Sequence, residues 1–266
     1  MQSIKSIDNG KEFDWGRTSS DYKRYRDIYP EEFYERIVEL GFCKKGQRVL
    51  DLGTGTGVLP RNMYKYGAEF TGADISENQI QAAKALSVGM DIKYIAAPAD
   101  STVFPNAYFD AVTAVQCFMY FDKETVLPNI HRILKDNGHL LILFMSYLPT
   151  ESDIANMSEK LILKYNPSWN GFGYQPSKED MTNKGAEKWN KYGFALADKF
   201  GYRTDIQFNR QSWHGRMKTC RGIGASVLSE SQISAWESEH IEYLNTKPEV
   251  FSIPHWVSGL ILRKMQ

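Results

Sequence analysis

The chain has 266 residues, 42% of them apolar and 24% charged, which is ordinary globular usage and excludes a disordered segment or a small disulfide-stapled scaffold. Lys plus Arg equals Asp plus Glu at 32 each, so no overall field draws the protein to nucleic acid or to anionic lipid. The longest apolar run, Leu140 to Met145, is far short of the roughly 20 residues that a membrane span needs, so nucleic acid and membrane are both unexpected partners.

At about 150 residues per domain, one elaborated domain or a domain with an insertion is expected. Met1 to Asp8 holds no continuous apolar stretch behind its charges, so no secretory signal is expected and the expected location is cytoplasmic. Pro30 opens a stretch in which Phe33, Ile37 and Leu40 recur at helical spacing, and Gly41 offers a left-handed cap, which predicts a helix. Arg48 to Leu52 reads as a short buried strand running into a glycine-rich turn at Gly53, Gly55 and Gly57, with helix expected from there to about Tyr66. Phe70 to Asp74 is a second strand. Ser76, with Gln79 three residues on, forms a capping box for a helix that turns Ile80, Ala83 and Leu86 inward and Lys84 outward.

Ile92 to Ile95, Phe109 to Val115 and Gly138 to Phe144 are three further strands. A helix carrying Val126, Ile130, Ile133 and Leu134 separates the last two. Apolar strands joined by amphipathic helices require a parallel sheet covered on both faces. The predicted fold class is therefore α/β, doubly wound, with a mostly parallel seven-stranded sheet.

After Met145 the pattern changes to a helical and aromatic insertion with Tyr147, Tyr165, Trp169, Phe172, Tyr174, Trp189 and Tyr192, and no clean strand before about Tyr202. Tyr202 to Phe208 is a weak strand. Ser229 and Gln232 open a helix with Ile233, Trp236 and Leu244, and Val257 to Leu262 is a last strand, expected to pair antiparallel at the sheet edge. The expected segments are an N-terminal helical cap over the ligand cleft (1–46), a Rossmann-like core (47–145), the insertion (146–201) and a C-terminal part completing the sheet (202–266).

Asp51-Leu52-Gly53-Thr54-Gly55-Thr56-Gly57 is the feature that carries chemistry. A ligand at the carboxyl edge of an open α/β sheet meets backbone amides, and glycine lets it approach with no Cβ in the way. A dinucleotide fingerprint G-x-G-x-x-G would need its third glycine at position 58, which is Val58; the spacing here is G-x-G-x-G. Cys43, Cys117 and Cys220 are odd in number, widely spaced and free of any C-x-x-C pair, so they read as reduced thiols, and no His/Asp/Glu spacing suggests a metal.

The acid-plus-glycine spacing resembles motif I of the class I S-adenosylmethionine-dependent methyltransferases, and residues 47–145 resemble that family throughout, with 1–46 and 202–266 a looser match. The resemblance implies S-adenosyl-L-methionine as cofactor, with S-adenosyl-L-homocysteine as product. It implies that Asp51, Gly53, Thr54, Gly55 and Gly57 form the cofactor loop, that Asp74 accepts from both ribose hydroxyls, that Ile75 lies against the adenine, that Asp100, followed by Ser101, accepts from its amino group, and that Gln116 lines the methionine part. Asp21 to Pro30 resembles the N-terminal element of small-molecule methyltransferases, which implies that Tyr22, Tyr25 and Arg26 close over the cofactor. The C-terminal layout is similar to the methyltransferase type 11, trans-aconitate methyltransferase-like branch.

The implied activity is methyl transfer to O, N or C of a small metabolite by direct in-line displacement, where the protein aligns the partners and excludes water. If the acceptor keeps its proton, a general base helps, and His214 and His255 are the candidates; His131, His139 and His240 read as structural. Trp213 and, at the expected cleft rim, Phe118 and Tyr120 are candidate substrate contacts, and Arg216 and Arg221 candidate clamps for an acidic substrate. Cys117 lacks the Pro-Cys pair of the RNA-modifying enzymes that use a cysteine nucleophile, so it reads as a packed thiol, and Gln116-Cys117-Phe118-Met119 stands where amino-group methyltransferases of nucleic acids carry an N-P-P-Y type tetrapeptide. The alternatives are a nicotinamide-dependent oxidoreductase and a non-catalytic module that binds the same cofactor. Monomer and homodimer are both open, because the aromatic insertion suits either a lid or an interface.

Overall fold

The computed structural model describes Ile4, Lys5, residues 7–171 and residues 186–266, so Phe172 and Tyr174 of the aromatic insertion lie outside the described residues. In chain order the elements are α1 (Ser19–Tyr25), α2 (Glu31–Glu39), β1 (Arg48–Leu52), α3 (Val58–Met63), β2 (Glu69–Asp74), α4 (Glu77–Leu86), β3 (Lys93–Ala96), β4 (Phe109–Val115), α5 (Lys123–Ile133), β5 (Leu134–Tyr147), α6 (Asp153–Tyr165), β6 (Phe194–Asn209), α7 (Arg210–Lys218), α8 (Glu230–Asn245) and β7 (Val250–Lys264).

The strands form one seven-stranded sheet in the order β3-β2-β1-β4-β5-β7-β6. β3, β2, β1, β4 and β5 pair in parallel, with Asp51 opposite Gly72 on one side and Thr113 on the other. The order runs outward from β1 through β2 and from its other side through β4, so the sheet has its topological switch point between β1 and β4, the place where open α/β sheets in general bind ligands beyond the carboxyl ends of their strands. The antiparallel strand β7 lies between β5 and β6, which leaves β6 as the edge.

The chain divides into two compact units. The core unit comprises Tyr29–Met145, Pro176–Tyr202 and Val257–Gln266; the second comprises Met1–Ile28, Ser146–Gln175 and Arg203–Trp256. The boundaries fall inside β5, β6 and β7, and the four segments expected from the sequence are regrouped accordingly: the chain up to Ile28 joins Arg203–Trp256.

In the core unit, Leu50, Leu52, Val112, Ala114, Leu140 and Ile142 of the sheet meet Val126, Leu127, Ile130 and Ile133 of α5, all buried. The strands read as unbroken apolar runs because this packing repeats on successive strands. In α4, Ile80 and Ala83 pack on Tyr94, but Leu86 is exposed, contrary to expectation. The buried stripe runs through Ile80, Ala83 and Ser87, and at 100° per residue Leu86 stands about 120° from Ile80. Ser76 caps this helix by accepting from the Gln79 amide.

The second unit is helical: α6 packs on α8, α8 on α7 and α7 on α1, around Ile162, Trp213, Met217, Trp236, Leu244 and Ile253. The Ser229/Gln232 capping box starts α8 as its sequence predicts. The sequence did not predict α7, which starts from a box made by Asn209 and Ser212. β6 likewise begins at Phe194, well before Tyr202. Among the described residues no helix is long and apolar enough to cross a membrane, and no cluster of three or more His, Cys, Asp or Glu is placed to hold a metal ion.

Candidate functional site

β1 delivers Leu52 into a turn whose glycines, Gly53, Gly55 and Gly57, all have positive φ (62°, 56° and 73°), the left-handed region that glycine adopts without strain. Space imposes a second demand. A Cβ on Gly53 would lie 2.7 Å from both Cβ and Sγ of Cys117, and one on Gly57 would lie 2.3 Å from the Tyr94 hydroxyl. The turn is fastened to β2: the Thr54 amide donates to the Ala73 carbonyl (3.0 Å), and the Gly55 amide to Asp74 Oδ2 (2.9 Å). The other Asp74 oxygen accepts from the Ser76 amide (2.9 Å). Asp74 therefore holds the turn and the start of α4, with one of these bonds on each oxygen.

The carboxylates here are tuned by burial. Asp51 is 2% exposed; burial raises its pKa to about 6, against the opposing hydroxyls of Thr113 and Thr54. Asp74 is raised as well, again by burial, with the Ser76 and Gly55 amides holding it down. Cys117 donates its thiol proton to the Leu52 carbonyl (3.0 Å), and burial pushes its pKa well above the usual thiol value, so it is a packed, protonated thiol.

Around the turn, Ile75 is 54% exposed beside Asp74, and Asp100 and Ser101 are exposed on the loop after β3. That loop is held by Asn129 of α5, whose Nδ2 donates to the Ala99 carbonyl (3.3 Å) and to Thr102 Oγ1 (3.0 Å). Neither Asn129 nor Tyr94 was anticipated as a support. Nothing local marks Tyr94, whereas a polar residue between the inward Val126 and Ile130 is a weak signal for Asn129. Gln116 has φ +60°, and its side-chain amide donates to the Met145 carbonyl, so its Nε2 fastens β4 to β5. Phe118, expected at a cleft rim, is 6% exposed and packed with Phe121 and Trp189 in the core. Tyr120 is half-buried beside it.

The remaining expected site residues belong to the second unit. Trp213 is fully buried and donates from Nε1 to Ser158 Oγ (2.9 Å). His214 stacks on Trp236 and shares an Nδ1 to Nδ1 hydrogen bond with His240 (3.0 Å), whose Nε2 meets Ser158 Oγ (2.9 Å). These contacts are satisfied together when both imidazoles are neutral, in keeping with burial lowering both pKa values, that of His240 to about 3. His255 has no exposed surface, stacks on Phe208 and bonds the Ile253 carbonyl through Nδ1; burial lowers its pKa to about 3. Both base candidates are thus packing groups in this geometry. Arg221 is committed to Asp8, with Asn170 completing the cluster, so it does not serve as the expected clamp. Tyr25 fills the space over Gly215, and the Arg26 guanidinium lies over the Tyr22 ring at 5.0 Å.

A doubly wound sheet with an acid-anchored glycine turn at its switch point is the Rossmann-like fold of class I methyltransferases. Residues 50–142 match the model of the methyltransferase domain family Methyltransf_11. It is 37% identical over 113 residues to a demethylmenaquinone methyltransferase of Thermus thermophilus, covering 41% of this chain and 51% of that protein. It is 27% identical over 157 residues to a ubiquinone biosynthesis O-methyltransferase of Bordetella avium, covering 58% of this chain and 65% of the relative. The chain thus spans about half to two-thirds of these relatives' length. Among solved structures, the YcgJ protein of Bacillus subtilis superposes with a TM-score of 0.53 at 19% identity, covering 89% of this chain and 100% of that one.

Proposed function

We propose that the protein transfers a methyl group from S-adenosyl-L-methionine to O, N or C of a small metabolite. Asp74 is the observation that carries this reading. A carboxylate accepts about four hydrogen bonds and donates none. The two backbone amides leave each Asp74 oxygen with a free lone pair for a ribose hydroxyl, on the strand end beside an open glycine turn. Ile75 offers an apolar face to the adenine, and Asp100 an acceptor to its amino group. Gly53 and Gly55, both partly exposed, offer main chain to the amino-acid end.

When bound, the cofactor supplies an electrophilic methyl on a sulfonium. The protein's share is to fix that group, orient the acceptor and keep water out, for which preorganised contacts suffice. Asp51 steadies the turn from beneath through Thr113 and does not reach solvent. Relatives named for demethylmenaquinone and ubiquinone methylation support a small-molecule acceptor.

The test is thermal unfolding with S-adenosylhomocysteine. At a hundred times its dissociation constant the ligand adds about 2.7 kcal/mol, and NADH at equal concentration adds nothing. A shift with NADH instead would favour the oxidoreductase alternative. A labelled-methyl screen over small acids, amines and phenols then separates an enzyme from a module that only binds the cofactor.

A further inference from the structure

Two arginines of the second unit lie side by side with no carboxylate partner among the described residues. Gly215 of α7 has no Cβ because Tyr25 of α1 occupies that volume; a Cβ there would fall 2.3 Å from Tyr25 Cδ2. This close packing sets the residues that follow each of them, Arg26 and Arg216, next to one another, near enough that the charge of Arg26 acts on Arg216. Arg216 is 7% exposed. Its guanidinium lies over the ring of Tyr147 at 4.7 Å and that of Trp213 at 5.8 Å, and its remaining polar contact is Nη1 to the Met217 sulfur at 4.0 Å. Nε of Arg216 and Nε of Arg26 are both buried without a hydrogen-bond partner, and no carboxylate among the described residues bridges either one.

The neighbouring acid, Glu159, is buried and accepts from the Tyr147 hydroxyl (2.7 Å), at the edge of the ring that Arg216 covers. Burial and Arg26 together lower the pKa of Arg216 to about 10, which still leaves it a cation at neutral pH. Burying the Arg216 guanidinium beside the half-buried Arg26, with unmet donors on both, is costly unless something pairs with them, and a guanidinium fork matches the two oxygens of a carboxylate. The contrast within the same unit is Arg221, which is satisfied by Asp8.

We propose that Arg26 and Arg216 form a binding site for a small organic carboxylate, carried by the methyl acceptor. The assignment to the acceptor rests on the methyltransferase reading; the anion site itself does not. The aromatic rings of Tyr22, Tyr147 and Trp213 against the two guanidinium planes favour a flat carboxylate over a tetrahedral oxyanion. Arg26 thus takes the place beside Arg216 that the sequence suggested for Arg221, instead of the cofactor contact that the resemblance implied for it.

The test uses the full chain without donor. Isothermal titration with benzoate and succinate should show saturable one-to-one binding, tighter than that of inorganic phosphate. Arg26→Gln and Arg216→Gln should each lower carboxylate affinity at least tenfold, with the lysine variants between. Saturating S-adenosylhomocysteine should leave carboxylate binding unchanged. A second readout guards against misfolding: Arg216→Met, which fills the volume without charge, should melt no lower than the parent while losing the carboxylate. Tighter binding of phosphate, absence of saturable binding, full affinity in the glutamine variants, or a methionine variant that melts lower and still binds would overturn the site. Competition by S-adenosylhomocysteine would overturn its assignment to the acceptor while leaving the cofactor reading standing. Absence of any response to S-adenosylhomocysteine beside intact carboxylate binding would reject the cofactor reading alone.

Discussion

Thr113 and Asp51 are register partners in β4 and β1, and the Thr113 hydroxyl donates to the Asp51 carboxylate at 2.6 Å with both side chains out of water. The pair makes the glycine turn's support sensitive to pH. With a folded pKa of about 6 against an ordinary value of 3.8, Asp51 keeps a proton in the fold that the unfolded chain releases first. Its contribution to stability is complete below about pH 4 and is lost as pH rises through 6. A shift of about two units corresponds to about 3 kcal/mol. Asp51→Asn cannot ionise, so between pH 4 and pH 7 its stability should rise relative to the parent by up to that amount. Parallel denaturation profiles would show that the carboxylate is not tuned in this way.

His255 gives the opposite sign. Burial, with the Arg216 charge adding to it, lowers its pKa from 6.5 to about 3, so the unfolded chain takes up a proton that the fold refuses. Stability is present above 6.5 and falls away on acidification, by about 2 kcal/mol at pH 5. His255→Phe keeps the ring stacked on Phe208 and should flatten the acid limb of the melting curve. It should also retain methyl transfer; a loss of turnover at unchanged stability would restore His255 as a base.

Gly53→Ala meets two obstacles, the positive φ and the Cys117 side chain at 2.7 Å. Left-handed strain in a non-glycine residue costs about 1–3 kcal/mol before any steric cost is added. The variant should unfold at lower denaturant, and S-adenosylhomocysteine should no longer shift its melting temperature. Cys117→Ala removes only the sulfur, so in combination it should recover part of the stability and little of the binding.

Asp74→Asn replaces one oxygen with a donor facing backbone amides that themselves donate. Hydrogen bonds to a charged group are worth about 1.5–3 kcal/mol, so S-adenosylhomocysteine affinity should fall at least tenfold, and further in Asp74→Ala. Equal affinity in parent and Asn variant by calorimetry would remove Asp74 from the ribose.

What could be read ahead of the structure was what is local. The strand at Arg48–Leu52, its glycine turn and the Ser229/Gln232 cap are specified by neighbours within a few positions, and all three form as predicted. Helix α7 was missed because Gly215 interrupts its pattern, and that glycine answers to Tyr25, far away in sequence. Arg221 was misread for the same reason: its partner Asp8 lies 213 residues upstream. Phe118 was placed at a rim because its address follows a strand end, whereas its packing against Trp189 depends on a segment with no strand-like pattern.

The sheet order also carries a consequence for how the chain is made. Among the described residues β6 has a single neighbour, β7, which follows α7 and α8 in the chain. During synthesis β6 must therefore wait, with its backbone groups unmatched, while two helices emerge before its companion arrives. Asp198, Lys199, Arg203 and Asp205 along β6 make it a poor template for a stray strand in that interval, and the same charges later guard the finished rim.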